Sequence, residues 1–157
     1  VSDGKLFSST QPGFSISITA IHPSSKGEII KDESDVVVMP MYLSSKEDID
    51  LLKLALKFCL NLLKSSPINE HILKIEEEFT IKNNPKKYIV DNIFSGYHLI
   101  GGTHDAINSN FEVHNTKGLY VCDASVFNKY SASNIHSSVI LISDIFAKKF
   151  IARNFHH

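Results

Sequence analysis

Apolar and polar positions alternate with different periods along the chain, and each period predicts an element. Ser44 or Ser45, with Glu47 and Asp48 behind it, is a helix-start pattern, and a helix is expected from there to about Lys64. The polar residues Asp50, Lys53, Lys57, Asn61 and Lys64 recur at steps of three and four. Ile49, Leu51, Leu52, Leu54, Leu56, Phe58, Leu60 and Leu63 fill the rest of the circumference. A polar stripe that narrow predicts burial on more than one side. Lysines recur inside the helix and it is short, so it is read as a packed helix and not as a membrane span.

Upstream, Val1 to Gln11 is polar and Ser-rich, and Pro12-Gly13 signals a turn. Phe14, Ile16, Ile18 and Ala20 then alternate with Ser15, Ser17 and Thr19, the two-residue period of a half-buried strand. Glu28 to Ile30 and Val36 to Met39 are two further strand-like runs, and together these predict an antiparallel sheet with one wet face. Downstream, Ser66-Pro67 is read as the start of a second helix with Ile68, Ile72, Ile75 and Phe79 on one stripe. Pro85 opens a third through Phe94. Phe111 to His114 and Leu119 to Cys122 read as strands, and a last helix follows in which Ile135, Val139, Ile142, Phe146 and Phe150 keep helical spacing. Asp144 and Lys148 form a favourable i,i+4 pair, and Lys148 and Lys149 suit the negative end of that helix.

Composition narrows the picture without deciding it. With 157 residues the chain could be one domain that buries roughly 70 % of its unfolded surface. It is 43 % hydrophobic and 21 % charged with a net charge of −1, so no attraction to nucleic acid or to an anionic membrane is expected. Cys59 and Cys122 sit inside apolar runs; buried free thiols, and a reducing, cytoplasmic setting, are the expectation. Glu76, Glu77 and Glu78 read as a solvated run.

The convergent polar chemistry lies in the last third. Ser95 to Asp105 reads SGYHLIGGTHD, Lys117 to Phe127 reads KGLYVCDASVF, and Ser131 to Ile151 reads SASNIHSSVILISDIFAKKFI. These are a His- and Gly-rich loop, an apolar strand that ends on a carboxylate, and a helix with Asn134 and His136 in its first turn. His98, among glycines, is either a structural histidine in a tight loop or a base. Ser133 and Asn134 are both good helix caps. His98, His104, His114 and Asp105 match no zinc spacing, so no metal site is expected. His156 and His157 at the end say nothing about mechanism.

These three stretches resemble the C-terminal part of the glucose-methanol-choline family of flavin-dependent oxidoreductases. There a catalytic His precedes Gly and Thr, a strand runs into Asp-Ala-Ser or Asp-Gly-Ser, and an Asn or His opens the last helix. His98, Gly102 and Thr103, then Leu119 to Ser125, then Asn134 and His136 match that order. AIHPSSKGEI at Ala20 to Ile29 is similar to a segment of the family's substrate-binding sheet. The His loop departs by an extra residue, because His98 is followed by Leu99, Ile100, Gly101, Gly102 and Thr103; His104 therefore stands as the alternative base.

The resemblance implies a fold of mixed α+β and α/β character. Residues 1–95 would be a substrate-binding region of antiparallel sheet and helices, and 96–157 would complete the FAD-binding domain with its terminal strands and last helix. It implies FAD as cofactor and an alcohol or sugar as substrate, with hydride passing to the flavin. His98 would be the base, and Asn134 and His136 would hold the substrate oxygen. Asp123, Ala124, Asn134 and Ile135 would lie against the cofactor, with the positive helix end beside the flavin ring. The same fold could also serve a flavin-containing hydroxynitrile lyase or a non-catalytic remnant.

The glycine fingerprint that grips a dinucleotide is absent from this sequence, and the chain starts at Val1. It is therefore read as part of a longer or split flavoprotein whose N-terminal FAD-binding segment lies elsewhere. Purified alone, the chain is expected to retain no FAD through gel filtration, and to gain it when the N-terminal portion is supplied. Stoichiometric flavin on the isolated monomer would overturn that expectation.

Overall fold

The computed structural model describes residues 12–155; the readings of Val1 to Gln11 and of His156-His157 lie outside the described residues. Two strands, β1 (Glu28–Lys31) and β2 (Val36–Met39), precede three helices, α1 (Lys46–Leu63), α2 (Glu78–Asn83) and α3 (Pro85–Asn92). A long last helix, α4 (His136–Phe155), closes the described chain. Contacts divide it into two compact units, Val1–Lys26 with Met41–Gly96, and Gly27–Pro40 with Tyr97–His157. The architecture is mixed helices with one small antiparallel sheet. Among the described residues no helix is long and apolar enough to cross a membrane.

In the first unit, α1 begins where its sequence pattern says it should. Ser45 Oγ accepts the N–H of Glu47 at 3.1 Å, which satisfies one of the donors a helix start leaves open. Asp48 does more than favour the helix dipole. Its side chain is almost wholly withdrawn from solvent at 5 % exposure, and it accepts Ser24 N at 2.7 Å, Ser25 N at 2.8 Å and Ser25 Oγ at 2.5 Å. Ser25 Oγ in turn accepts Ser45 N at 3.0 Å, which ties the HPSS turn to the start of α1. Burial pushes the Asp48 carboxyl up, but the hydroxyl and the two backbone N–H groups together outweigh it and hold it below the ordinary carboxylate range.

α1 turns Leu60 inward and packs on α2 and α3, where Ile89 is the other buried apolar side chain. Asn84 caps α3 by accepting Lys87 N at 3.1 Å, with Pro85 in the first turn. Lys64 and Lys82 both pair with Glu78, and together they hold its carboxyl down at about 2.

Three expectations fail in this unit. α1 is not buried on several sides: Leu51, Leu54 and Phe58 are 50, 66 and 66 % exposed. The helix expected from Ser66-Pro67 is broken into a 3-10 turn, Ile68–His71, and the short α2. Glu77, at φ 57°, lies in the left-handed region between them, so the stripe is interrupted and Phe79 is 80 % exposed. Phe14 to Ala20 forms no strand. An alternating pattern makes a strand only when a neighbouring segment completes its ladder, and none does among the described residues.

The second unit holds the hairpin and the last helix. β1 and β2 pair antiparallel, from Glu28 opposite Met39 to Lys31 opposite Val36. Gly27 is obligatory at the hairpin's base, because a Cβ there would collide with the Met39 carbonyl and the Pro40 backbone. Instead of two strands, 107–121 makes isolated bridges, Ile107 with Val113 and Glu112 with Tyr120. Two ladder rungs do not make a sheet, but they present Phe111 and Tyr120 to α4. Phe146 meets Phe111 edge-on at 5.5 Å, and Phe150 meets Tyr120 edge-on at 5.4 Å. The predicted stripe of α4 is therefore the inward one, with Ile135 buried at its head. Asp144 and Lys148 pair at 2.7 Å, and Lys149 Nζ donates to Ser109 O at 2.8 Å.

Asp48→Asn is expected to cost about 1–3 kcal/mol at neutral pH, the usual penalty for leaving buried donors short of an acceptor. A depressed folded-state pKa gives stability that is complete above the unfolded value, about 3.9, and fades as pH falls through the lower folded value. Urea unfolding between pH 7 and pH 2 should show part of the acid loss missing in the variant. Parallel pH curves for the two proteins would exclude Asp48 as the group responsible.

Candidate active site

Each sequence-predicted site residue lies in the second unit, and the chain builds their surroundings from local turns. His98 is exposed and makes no hydrogen bond among the described residues. It follows Tyr97, which sits at φ +59°, and precedes Gly101 at φ +90°, so the loop is set by backbone turns at both ends. His104 is different. Its Nδ1 lies 3.0 Å from Gly101 O and its Nε2 lies 3.1 Å from an Asp105 carboxylate oxygen. Both ring nitrogens therefore face oxygens of the chain itself, whereas those of His98 face none among the described residues.

Asp123 opens a short 3-10 turn, Ala124–Val126. One of its oxygens accepts both Ser125 N at 2.8 Å and Ser125 Oγ at 2.5 Å. Ser125 Oγ is also 2.6 Å from Thr103 Oγ1, and Thr103 N donates to Ser125 O at 3.0 Å. The His98 loop and the Asp123 turn are thus stitched together through Thr103 and Ser125. With that oxygen engaged locally, the carboxylate satisfies the turn; Asp123 is exposed and Ala124 half-buried.

At the head of α4, Asn134 Oδ1 accepts His136 N at 2.9 Å. The donor is a backbone N–H, so the amide oxygen faces the helix and the NH2 faces away. Asn134, and not Ser133, serves the helix start. Ser133 Oγ points instead to Asn134 O at 3.5 Å. Ile135 is buried at 8 % exposure, whereas Asn134 and His136 are exposed. No hydrogen bond joins His98 to Asn134 or His136 among the described residues. Cys122 lies behind this region: burial, then the neighbouring Asp123 charge, push its thiol up, and it donates to Ile142 O at 3.7 Å. Both Cys59 and Cys122 are only half-buried, short of the buried thiols expected of their apolar runs.

Could these residues take one side of a dinucleotide cofactor? A helix start and an amide NH2 turned away from it are groups that favour an electron-rich partner. The glycine loop that meets a pyrophosphate is not among them. Among the described residues no three His, Cys, Asp or Glu side chains converge as metal ligands. A cleft of about 380 Å³ in the first unit is lined by Leu56, Leu60, Ile81 and lysines, and contains none of the candidate residues.

Sequence reasoning named Thr103 and Ser125 only as motif letters. The Asp-x-Ser spacing is itself a turn signal, because a short carboxylate side chain reaches the N–H two residues on. The bond from Ser125 to Thr103 spans 22 residues and has no local signal.

A family model described as GMC oxidoreductase matches residues 23–143. The glucose dehydrogenase [FAD, quinone] of Drosophila pseudoobscura pseudoobscura is 24 % identical over 90 % of this chain and 26 % of its own length. That of Drosophila melanogaster is 23 % identical over the same shares. The chain thus spans about a quarter of the length of these curated relatives. Among solved structures, pyridoxine 4-oxidase from Mesorbium loti matches with a TM-score of 0.70 at 19 % identity, over 87 % of this chain and 29 % of the other, a likeness of fold.

Within the matched stretch the two loop glycines have different reasons. At Gly101 the positive φ excludes an L side chain without strain, whereas a Cβ on Gly102 would meet Ile29 Cδ1 at 3.4 Å and Ser125 Cβ at 3.8 Å, which are ordinary contacts. Gly101→Ala is expected to cost about 1–3 kcal/mol and Gly102→Ala less than about 1 kcal/mol. Urea unfolding of both variants checks this; equal losses would show that the φ of Gly101 is not the constraint.

Proposed function

The chain belongs to the GMC oxidoreductase family, as its C-terminal part, and from that premise we propose that it completes the active site of an FAD-dependent oxidoreductase acting on an alcohol or sugar. The observation that carries this reading is that one matched stretch, 23–143, contains His98, Asp123, Asn134 and His136 together. The cofactor, when bound, accepts a hydride from the substrate carbon.

His98 takes the proton of the substrate hydroxyl. Its exposed ring, without a protein partner among the described residues, supports this assignment. The full engagement of both nitrogens of His104 argues against the alternative. Asn134 donates its outward NH2 to the substrate oxygen as negative charge develops there, while its Oδ1 stays with the helix. His136, exposed in the first turn of α4, lines the same side.

The backbone of Asp123 and Ala124, and the helix start at Asn134 and Ile135, would hold the flavin side of FAD. A longer or split protein supplies the dinucleotide-binding segment. The exposed stripe Leu51, Leu54 and Phe58 on α1 supports such a covering neighbour, since apolar stripes of this size are seldom left to water. The names of the curated relatives support a sugar hydroxyl as the oxidised group.

In the complete flavoprotein, His98→Ala is expected to slow flavin reduction about 10²- to 10⁴-fold with flavin still bound, whereas His104→Ala costs at most about tenfold. Stopped-flow bleaching of the flavin by substrate measures both. Full-speed bleaching in His98→Ala with slow bleaching in His104→Ala would reassign the base.

A further inference from the structure

Among the described residues no hydrogen bond holds His98 directly, so its aim depends on what holds its loop. The bond from His104 to Gly101 closes the loop on itself, three residues apart. The bond from Thr103 to Ser125 fixes it to a different segment, 22 residues on. The direction of that second link follows from chemistry. An ionised carboxylate only accepts, so Ser125 must give its hydroxyl proton to Asp123. Ser125 Oγ is then left with lone pairs toward Thr103, and Thr103 must be the donor at 2.6 Å. The chain of hydroxyls runs one way, from Thr103 through Ser125 to Asp123.

The backbone reinforces the same joint. Thr103 N donates to Ser125 O at 3.0 Å, and Gly102, beside it, lets Ile29 Cδ1 and the Ser125 side chain come close. Thr103 starts the short His104–Ala106 turn, yet its hydroxyl makes no capping bond there. The side chain is committed to the cross-link alone.

We propose that Thr103 and Ser125 are positioning residues, whose hydroxyl chain to Asp123 sets the His98 loop in register with the turn that faces the cofactor. This rests on the reading of His98 as the base and of Asp123-Ala124 as the cofactor side. A general base tolerates little misplacement, since displacement by about 1 Å can cost on the order of 10²-fold in rate. Two segments that each carry one half of the reaction need a fixed distance, and a directional pair of short hydrogen bonds supplies one where a hydrophobic contact would allow sliding.

The test uses the complete flavoprotein with Thr103→Val, Thr103→Ser and Ser125→Ala. Flavin content, melting temperature, the limiting rate of flavin reduction and the substrate concentration at half-saturation are read for each. The expected result is a limiting rate about 10- to 100-fold lower in Thr103→Val and Ser125→Ala, with flavin content and half-saturation little changed. Thr103→Ser, which keeps the donor, recovers most of the rate.

Thr103→Ser as slow as Thr103→Val would mean that keeping the hydroxyl donor does not keep the rate, and would overturn the proposal. So would loss of flavin or of folding in both hydroxyl-free variants, since the link would then be a structural stitch. His98→Ala separates the two levels of argument. Slow reduction there with normal reduction in Thr103→Val defeats the positioning proposal alone, and full-speed reduction in His98→Ala defeats the reading beneath it.

Discussion

A carboxylate that accepts the N–H and the O–H of one serine at the same time organises each unit. In the first, Asp48 takes both donors of Ser25, and the Ser25 hydroxyl accepts the N–H of Ser45 at the start of α1. In the second, Asp123 takes both donors of Ser125, and the Ser125 hydroxyl accepts from Thr103 in the His98 loop. The arrangement works because the carboxylate has only acceptors, which orders every hydroxyl beyond it. The units differ in burial. Asp48 is shielded from water and its pKa is depressed, whereas Asp123 is exposed, so the first can carry more of the folding free energy and the second more of the geometry.

What the sequence made legible was local. The start of α1 at Ser45, the Asn84-Pro85 start of α3, and the inward stripe of α4 rest on signals within a turn or two, and a helix closes its own hydrogen bonds. The pairing of β1 and β2 was legible for a similar reason, since its partners are neighbours in sequence, but the expected single wet face was not, because every residue of both strands is exposed. Phe14 to Ala20 carried as clear an alternation as either strand and yet pairs with nothing described. Periodicity announces a face, and a ladder needs a partner that periodicity cannot name. The segment from Ile68 to Phe79 failed in the opposite way: the stripe was real on paper, but Glu77 turned left-handed in the middle of it.

For the candidate site, residue types were legible and their engagements were not. His98 and His104 stand in one motif with the same chemistry, and only the structure separates a ring without hydrogen bonds among the described residues from one held at both nitrogens. The capping requirement at the head of α4 pointed equally to Ser133 and Asn134. Geometry chose Asn134, because its amide reaches the His136 N–H that Ser133 leaves alone. Asp48 was read as a charge that suits a helix start; its grip on Ser24 and Ser25 spans more than twenty residues and left no trace in local pattern.

The orientation of the Asn134 amide divides one side chain between two masters. Its oxygen answers to the helix, where Asp or Ser would serve about as well. Its nitrogen answers, in the proposed mechanism, to an oxygen that is gaining charge, where Asp would repel it and Ser would have little reach. Pressure for a more stable helix could therefore exchange this residue freely, while pressure for turnover could not. A position of this kind records which of the two has governed a lineage: drift among Asn, Asp and Ser would mark a chain kept for its fold, and a fixed asparagine one kept for its chemistry.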